Sequence, residues 1–129
     1  MSRKSKGISA ERELVHMFWG KEWPCIRVAG SGSIKYPAPD VIAGNSIRMI
    51  AIECKVTKEN KQYLSKKEIN ELKEFSQKFG AEAWIAVKFN KDKWYFLNIE
   101  DIKPTTENFV ITNENARLKG LLFEELVED

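Results

Sequence analysis

The sequence predicts an α/β fold in which a mixed central β-sheet is flanked by helices, and three observations predict it. Apolar residues at helical spacing open the chain, a well-capped amphipathic helix starts near residue 65, and short apolar or alternating runs between turn residues fill the space between and after them. The resulting order is α-β-β-β-α-β-β. At 129 residues the chain is expected to form one domain, residues 1–129, long enough for one real core.

Each element has its own signal. Ile8, Leu14, Val15, Phe18 and Trp19 recur at helical spacing until Gly20, predicting a first helix from Ile8 to about Trp19. "CIRVA" at 25–29 reads as a short strand, and "GSGSIKYPAP" reads as a loop. "DVIA" and "IRMIAIECKV" read as two strands joined by a tight Gly44-Asn45-Ser46 turn. Ser65 and Glu68 then form an S-x-x-E capping box, with Leu64 and Ile69 as its hydrophobic staple and Gly80 as the stop. The inner face of that helix is expected to be Ile69, Leu72, Phe75 and Phe79. "AWIAVKF" and "KWYFLNI" alternate as a hairpin around "NKD", a weak strand is expected at 109–111, and a last helix near 120–127.

Composition narrows the class. The chain is 43% hydrophobic and 31% charged, with no apolar run long enough to span a membrane, so no membrane role is expected. The N-terminus lacks the pattern of a secretory signal, and the expected location is the cytoplasm. Cys25 and Cys54 sit in apolar segments without zinc-ligand spacing and read as buried thiols. Charge is sorted along the chain. Residues 1–70 carry 13 Lys and Arg against 7 Asp and Glu, whereas residues 71–129 carry 8 against 12. A basic first half suits a local phosphate-binding face.

One cluster carries chemistry. On a strand through residues 50–56, Ile50, Ile52, Cys54 and Val56 would share a core-facing side, leaving Glu53 and Lys55 together on the other. Pairing through the Gly44-Asn45-Ser46 turn brings Asp40, at the start of the preceding strand, within reach of Glu53. Two such carboxylates repel unless a cation lies between them, either Lys55 or a divalent metal, and all-oxygen ligands favour Mg²⁺ over zinc. The plainer alternative is an ion pair of Glu53 with Lys55 on a solvated face. Glu11 lies on or beside the apolar stripe of the first helix, where an acid is costly without a partner. A helix that delivers Glu11 to the Asp40/Glu53/Lys55 face would provide one, and a solvated rim position would equally relieve it.

Pro39-Asp40, twelve residues and then Glu53-Cys54-Lys55 resemble the PD-(D/E)XK nuclease motif. Together with "KGISAERELV", "RVAGSGS", "PAPDVIA" and "IAIECK", they resemble the archaeal Holliday-junction-resolving endonucleases of Hjc type over most of residues 6–90. The resemblance implies a restriction-endonuclease-like fold, with Asp40 and Glu53 binding catalytic Mg²⁺ beside the Cys54 carbonyl, and Mn²⁺ as a substitute. It implies that Glu11 completes the acidic cluster as a further metal ligand and catalytic residue. Lys55 would orient the attacking water or neutralise phosphorane charge, and Ser31 would belong to the active-site neighbourhood. The expected function is structure-selective cleavage of four-way DNA junctions. Other DNA repair or restriction nucleases, a noncatalytic DNA binder of this fold, and an interaction domain with a salt-bridged Asp40/Glu53/Lys55 cluster are the competing readings.

For DNA contact the candidates are Arg3, Lys4, Lys6, Arg12, Arg27, Lys58, Lys61, Lys66 and Lys67, together with Ser31, Ser33 and Lys35 of the glycine-rich loop. Residues 1–6 are expected to form a mobile basic arm. His16, on the polar side of the helix with Arg12, is not a catalytic candidate. Trp84, Phe89, Trp94, Tyr95 and Phe96 are many aromatics for one hairpin, and alternation would bury only half of them. These rings would form either an extended core under the last helix or, in the reading favoured by a two-fold match to the two strands of a four-way junction, a homodimer interface at the 84–96 hairpin.

Overall fold

The computed structural model describes residues 3–31 and 33–128, with side chains from residue 7 onward. Helix α1 (Arg3–Gly20) begins ahead of Ile8 and buries Ala10, Leu14 and Phe18. Of the expected 1–6 arm, residues 1 and 2 and the side chains of Arg3, Lys4 and Lys6 lie outside the described residues, and the backbone of 3–6 belongs to α1. Trp19 is not part of the buried stripe. It is 54% exposed, and its indole N–H donates to the Cys25 carbonyl at 2.9 Å.

Strands β1 (Cys25–Arg27), β2 (Val41–Gly44) and β3 (Met49–Thr57) form an antiparallel meander, and β3 pairs in parallel with β5 (Glu82–Phe89), whose antiparallel partner is β6 (Trp94–Asn98). The parallel step is possible because helix α2 (Lys66–Phe79) crosses over between β3 and β5. Its capping box is formed as the sequence predicts, and Gly80 closes it at φ 84°, a left-handed conformation that glycine adopts without a Cβ penalty. Leu64 and Ile69 are both buried as its staple. Phe79, expected on the inner face, is 50% exposed and stacks on Phe75 at 4.8 Å, because Ile69, Leu72 and Ser76 already fill the sheet side.

Of a second, three-stranded sheet only the middle strand, expected at 109–111, was legible in the sequence. The sheet consists of β4 (Lys61–Ser65), β7 (Lys103–Pro104) and β8 (Asn108–Thr112), with β8 in the middle. The single C-terminal helix expected at 120–127 is two short ones, α3 (Asn113–Lys119) and α4 (Phe123–Leu126). They part at Gly120, where a Cβ would come within 2.5 Å of the Ala116 carbonyl oxygen, and Leu121 exchanges two backbone hydrogen bonds with Phe96.

The central sheet is covered on both faces. On one, α1 and α4 pack Leu14, Phe18 and Phe123 over Ile50, Ile52, Ala86, Trp94 and Phe96; on the other, α2 and α3 pack Leu72, Ile69 and Ala116 near Ala51, Ile85, Val87, Tyr95 and Leu97. That corrects the alternation argument for the aromatic hairpin. Phe89, Trp94, Tyr95 and Phe96 are all buried within the chain and Trp84 is half-buried, so these rings do not form an outer aromatic surface. The β3 row also ends sooner than expected. Ile50 and Ile52 are fully buried, Cys54 is half-buried and Val56 is 40% exposed.

Candidate active site

The β2–β3 hairpin fixes the register on which the site depends. Asn45 Oδ1 accepts the N–H groups of Ile47 at 3.0 Å and Arg48 at 2.7 Å, and Ser46 takes a left-handed conformation with φ 74°. Val41 therefore faces Ile52, and the Asp40 N–H extends the ladder by donating to the Ile52 carbonyl at 2.9 Å. A shift of one residue would turn Glu53 to the opposite face of β3.

Both oxygens of Asp40 are held. Oδ1 accepts the Ser31 hydroxyl at 2.9 Å, and Oδ2 accepts the Cys54 backbone N–H at 2.8 Å. Glu53 stands beside it on the α2 side of β3. Burial first, then the charge of Asp40, hold the Glu53 carboxyl well above the usual carboxylate range, and Lys55 offsets this only in part. Glu11 enters the same cleft from α1. Its pKa is raised by burial and by Asp40, against the pull of Arg27, whose Nη1 lies 3.4 Å from Glu11 Oε1.

Lys55 does not bridge Asp40 and Glu53. Its ammonium donates to Glu68 Oε2 at the first turn of α2. Burial alone would lower the lysine pKa, but Glu68, then Glu53 and Asp40, more than reverse that and keep it charged. Glu68 is the reciprocal case: burial would raise it, and the hydrogen bonds from Lys55 and Ser65 bring it down.

The cleft is lined by Glu11, Arg27, Ser31, Asp40, Glu53 and Glu68, with Ser33, Lys35 and Lys67 on its wall. A carboxylate whose ionisation is suppressed by burial and by the charge of an adjacent acid suits a cation, and Asp40 and Glu53 supply hard oxygen donors for one. Among the described residues no three His, Cys, Asp or Glu are grouped to hold one ion, so Glu11 is not joined to that pair as a third ligand in this geometry. Arg27 engages it instead.

The whole chain bears a family signature to match this geometry. Residues 2–129 match the family described as archaeal Holliday junction resolvase (Hjc). The chain belongs to that family. It is 40% identical, over 95% of each chain, to the crossover junction endodeoxyribonuclease Hjc of Archaeoglobus fulgidus. Against the Hjc of Sulfolobus acidocaldarius the identity is 37%, over 98% of this chain and 90% of the other. The crystal structure of A. fulgidus Hjc, described as a Holliday junction resolvase from an archaeal hyperthermophile, superposes with a TM-score of 0.86 at 38% identity and 94% coverage of both chains. Nucleases of this type are metal-dependent.

Seen as a resolvase fold, the remaining candidates divide. Arg27, Ser31, Ser33 and Lys35 line the cleft, Ser33 donating to the Gly30 carbonyl at 3.1 Å and the Lys35 ammonium standing 5.9 Å from the Tyr36 ring centroid. Arg12, Lys58, Lys61 and Lys66 are exposed and do not line it, and Lys66 donates to the Thr106 carbonyl at 3.3 Å. Sequence reasoning found Glu68 only as a helix cap. Its partner lies thirteen residues away on another element, and local patterns do not register such a contact. Lys67 and Glu71, one turn of the same helix, also line the cleft. No helix among the described residues is long and apolar enough to cross a membrane.

Proposed function

We propose that this protein resolves four-way DNA junctions by Mg²⁺-dependent hydrolysis of paired phosphodiester bonds, with Asp40 and Glu53 as the metal-binding pair. One observation carries the reading: two carboxylates are set side by side in a cleft, one immobilised by Ser31 and the Cys54 N–H, with a charged lysine on the same face. A structural ion pair would place the cation between the acids, whereas here Lys55 is drawn off to Glu68.

When bound, Mg²⁺ would supply a more acidic water and charge neutralisation at the scissile phosphate. The chain does the rest. Asp40 and Glu53 hold the ion, Lys55 meets the growing charge on a nonbridging oxygen, and Ser31 keeps Asp40 in one rotamer. Glu11 with Arg27 borders the cleft from α1, Arg27 presenting a guanidinium toward DNA phosphates. In-line attack by water on phosphorus, with the P–O3′ bond breaking and the 3′-oxygen leaving, gives a 5′-phosphate and a 3′-hydroxyl. Recognition rests on junction shape and backbone charge, through Lys35 and Lys67 at the cleft wall and the exposed Arg12, Lys58, Lys61 and Lys66. Mn²⁺ can replace Mg²⁺ on the same oxygens. A DNA substrate is consistent with work in the cytoplasm.

A homodimer belongs to this proposal, because the junction offers two symmetric strands to cut. Its aromatic surface is better supported at the open Phe75–Phe79 stack of α2 than at the 84–96 hairpin, whose rings are occupied within the chain. Sedimentation would test this: Phe79→Ala is expected to weaken self-association, and an unchanged dimer moves the interface elsewhere.

The experiment that tests the function compares an immobile four-way junction with a linear duplex of the same sequence, with and without Mg²⁺. Paired nicks on the junction alone, lost in Glu53→Gln while junction binding survives, are the expected result. Equal cutting of the duplex would make the enzyme a general nuclease.

A further inference from the structure

The carboxylate that holds Lys55 is not one of the motif's acids. Glu68 Oε2 receives the Lys55 ammonium, while Oε1 accepts the Ser65 N–H at 2.9 Å and the Ser65 hydroxyl at 3.2 Å, and the Glu68 N–H donates back to Ser65 Oγ at 3.0 Å. Glu68 is thus tied to the first turn of α2, which Ile69 and Leu72 anchor in the core. It also lines the cleft with Asp40 and Glu53.

Helix capping does not account for its charge. Glutamine at the same position completes a capping box as well as glutamate does. A further carboxylate in a cleft that already holds Glu11, Asp40, Glu53 and Glu71 opposes the approach of DNA phosphates, so capping alone would favour the neutral side chain. What the charge does serve is Lys55. A lysine side chain has many rotamers, and left free beside Glu53 its ammonium would collapse onto that carboxylate and compete with a metal ion.

We propose that Glu68 is a positioning residue for the reaction: mounted on the α2 capping box, it holds the Lys55 ammonium on the α2 side of the Asp40–Glu53 pair, aimed at the phosphate and away from the metal ligands. The inference rests on the role proposed for Lys55 above.

Glu68→Gln tests it cleanly, since the amide oxygen can still take the Ser65 N–H while its NH₂ offers nothing to an ammonium. With enzyme saturating over a four-way junction, the single-turnover cleavage rate is expected to fall about 10–100-fold. Junction Kd should stay within about twofold, and Tm should fall by no more than about 4 °C. In a Lys55→Met background, whose own residual rate is low, Glu68→Gln should bring no further loss. Unchanged cleavage in Glu68→Gln beside a slow Lys55→Met overturns the positioning role and leaves the Lys55 reading standing. A loss carried wholly by Kd or Tm, or a further fall in the double variant, also overturns it. A Lys55→Met enzyme that cuts at full rate overturns both.

Discussion

Two places on the β3/β5 ladder use glutamate in opposite ways. At its start, Glu82 beside Ile50 takes a two-pronged contact from Arg48 at 2.8 and 2.9 Å, and its pKa is lowered chiefly by that hydrogen bond. Three residues further on, Glu53 faces Asp40 and its pKa is raised by burial and by that neighbour. The first acid is paired as a structural element requires. The second has no such partner, and that contrast is the physical signature that the proposed metal site rests on.

The largest test of this contrast is chemical. Glu53→Gln should reduce junction cleavage by about 10³-fold or more, measured in single turnover, because it removes one of the two proposed metal ligands while keeping shape. A loss of less than tenfold would move the metal elsewhere. Next is Arg48→Ala, which leaves Glu82 with only the Trp84 indole N–H at 3.1 Å, frees the Leu126 carbonyl bonded at 2.7 Å and removes the cation 5.5 Å from the Trp23 ring centroid. It should destabilise the fold by about 2 kcal/mol in denaturant melts, with cleavage at moderate temperature preserved.

A smaller effect has the opposite sign. Because the Glu53 pKa is raised in the folded protein, ionising it costs stability once pH climbs above the ordinary carboxylate pKa, and the cost grows until pH passes the raised value. In EDTA, Glu53→Gln should therefore be more stable than wild type at pH 8, by about 1–2 kcal/mol, with the gap closing near pH 4. Mg²⁺ should raise the wild-type Tm more than that of the variant. Glu82 runs the other way: its contribution is present above the ordinary carboxylate pKa and lost as pH falls through the lowered one. The smallest effect belongs to the exposed Lys78–Glu74 pair on α2, at 2.8 Å, where Glu74→Ala should change stability by less than about 0.5 kcal/mol.

What could be read from the sequence was whatever a local pattern encodes. The capping box at Ser65 and Glu68, the Asn45 turn and the acid pair it brings together are all short-range, and they appear as expected. The small sheet was read only as its middle strand near 109–111, because β4 exists only through pairing of Lys61 with Thr112 and its neighbours, some fifty residues along the chain. The aromatic hairpin misled because alternation assumes one wet face, whereas helices and the C-terminal segment cover both. Glu68 showed its local half only.

The bond from the Cys54 N–H to Asp40 has one more consequence. In the stretch Glu53-Cys54-Lys55 the outer residues act through their side chains, but the middle one serves the site through its main chain, its thiol packing against the α1 layer. Many side chains could therefore occupy position 54 without disturbing Asp40, provided that they fit that layer and, unlike proline, keep the N–H. The freely varying letter of an acid-x-lysine motif is, in this fold, a backbone ligand with an interchangeable side chain.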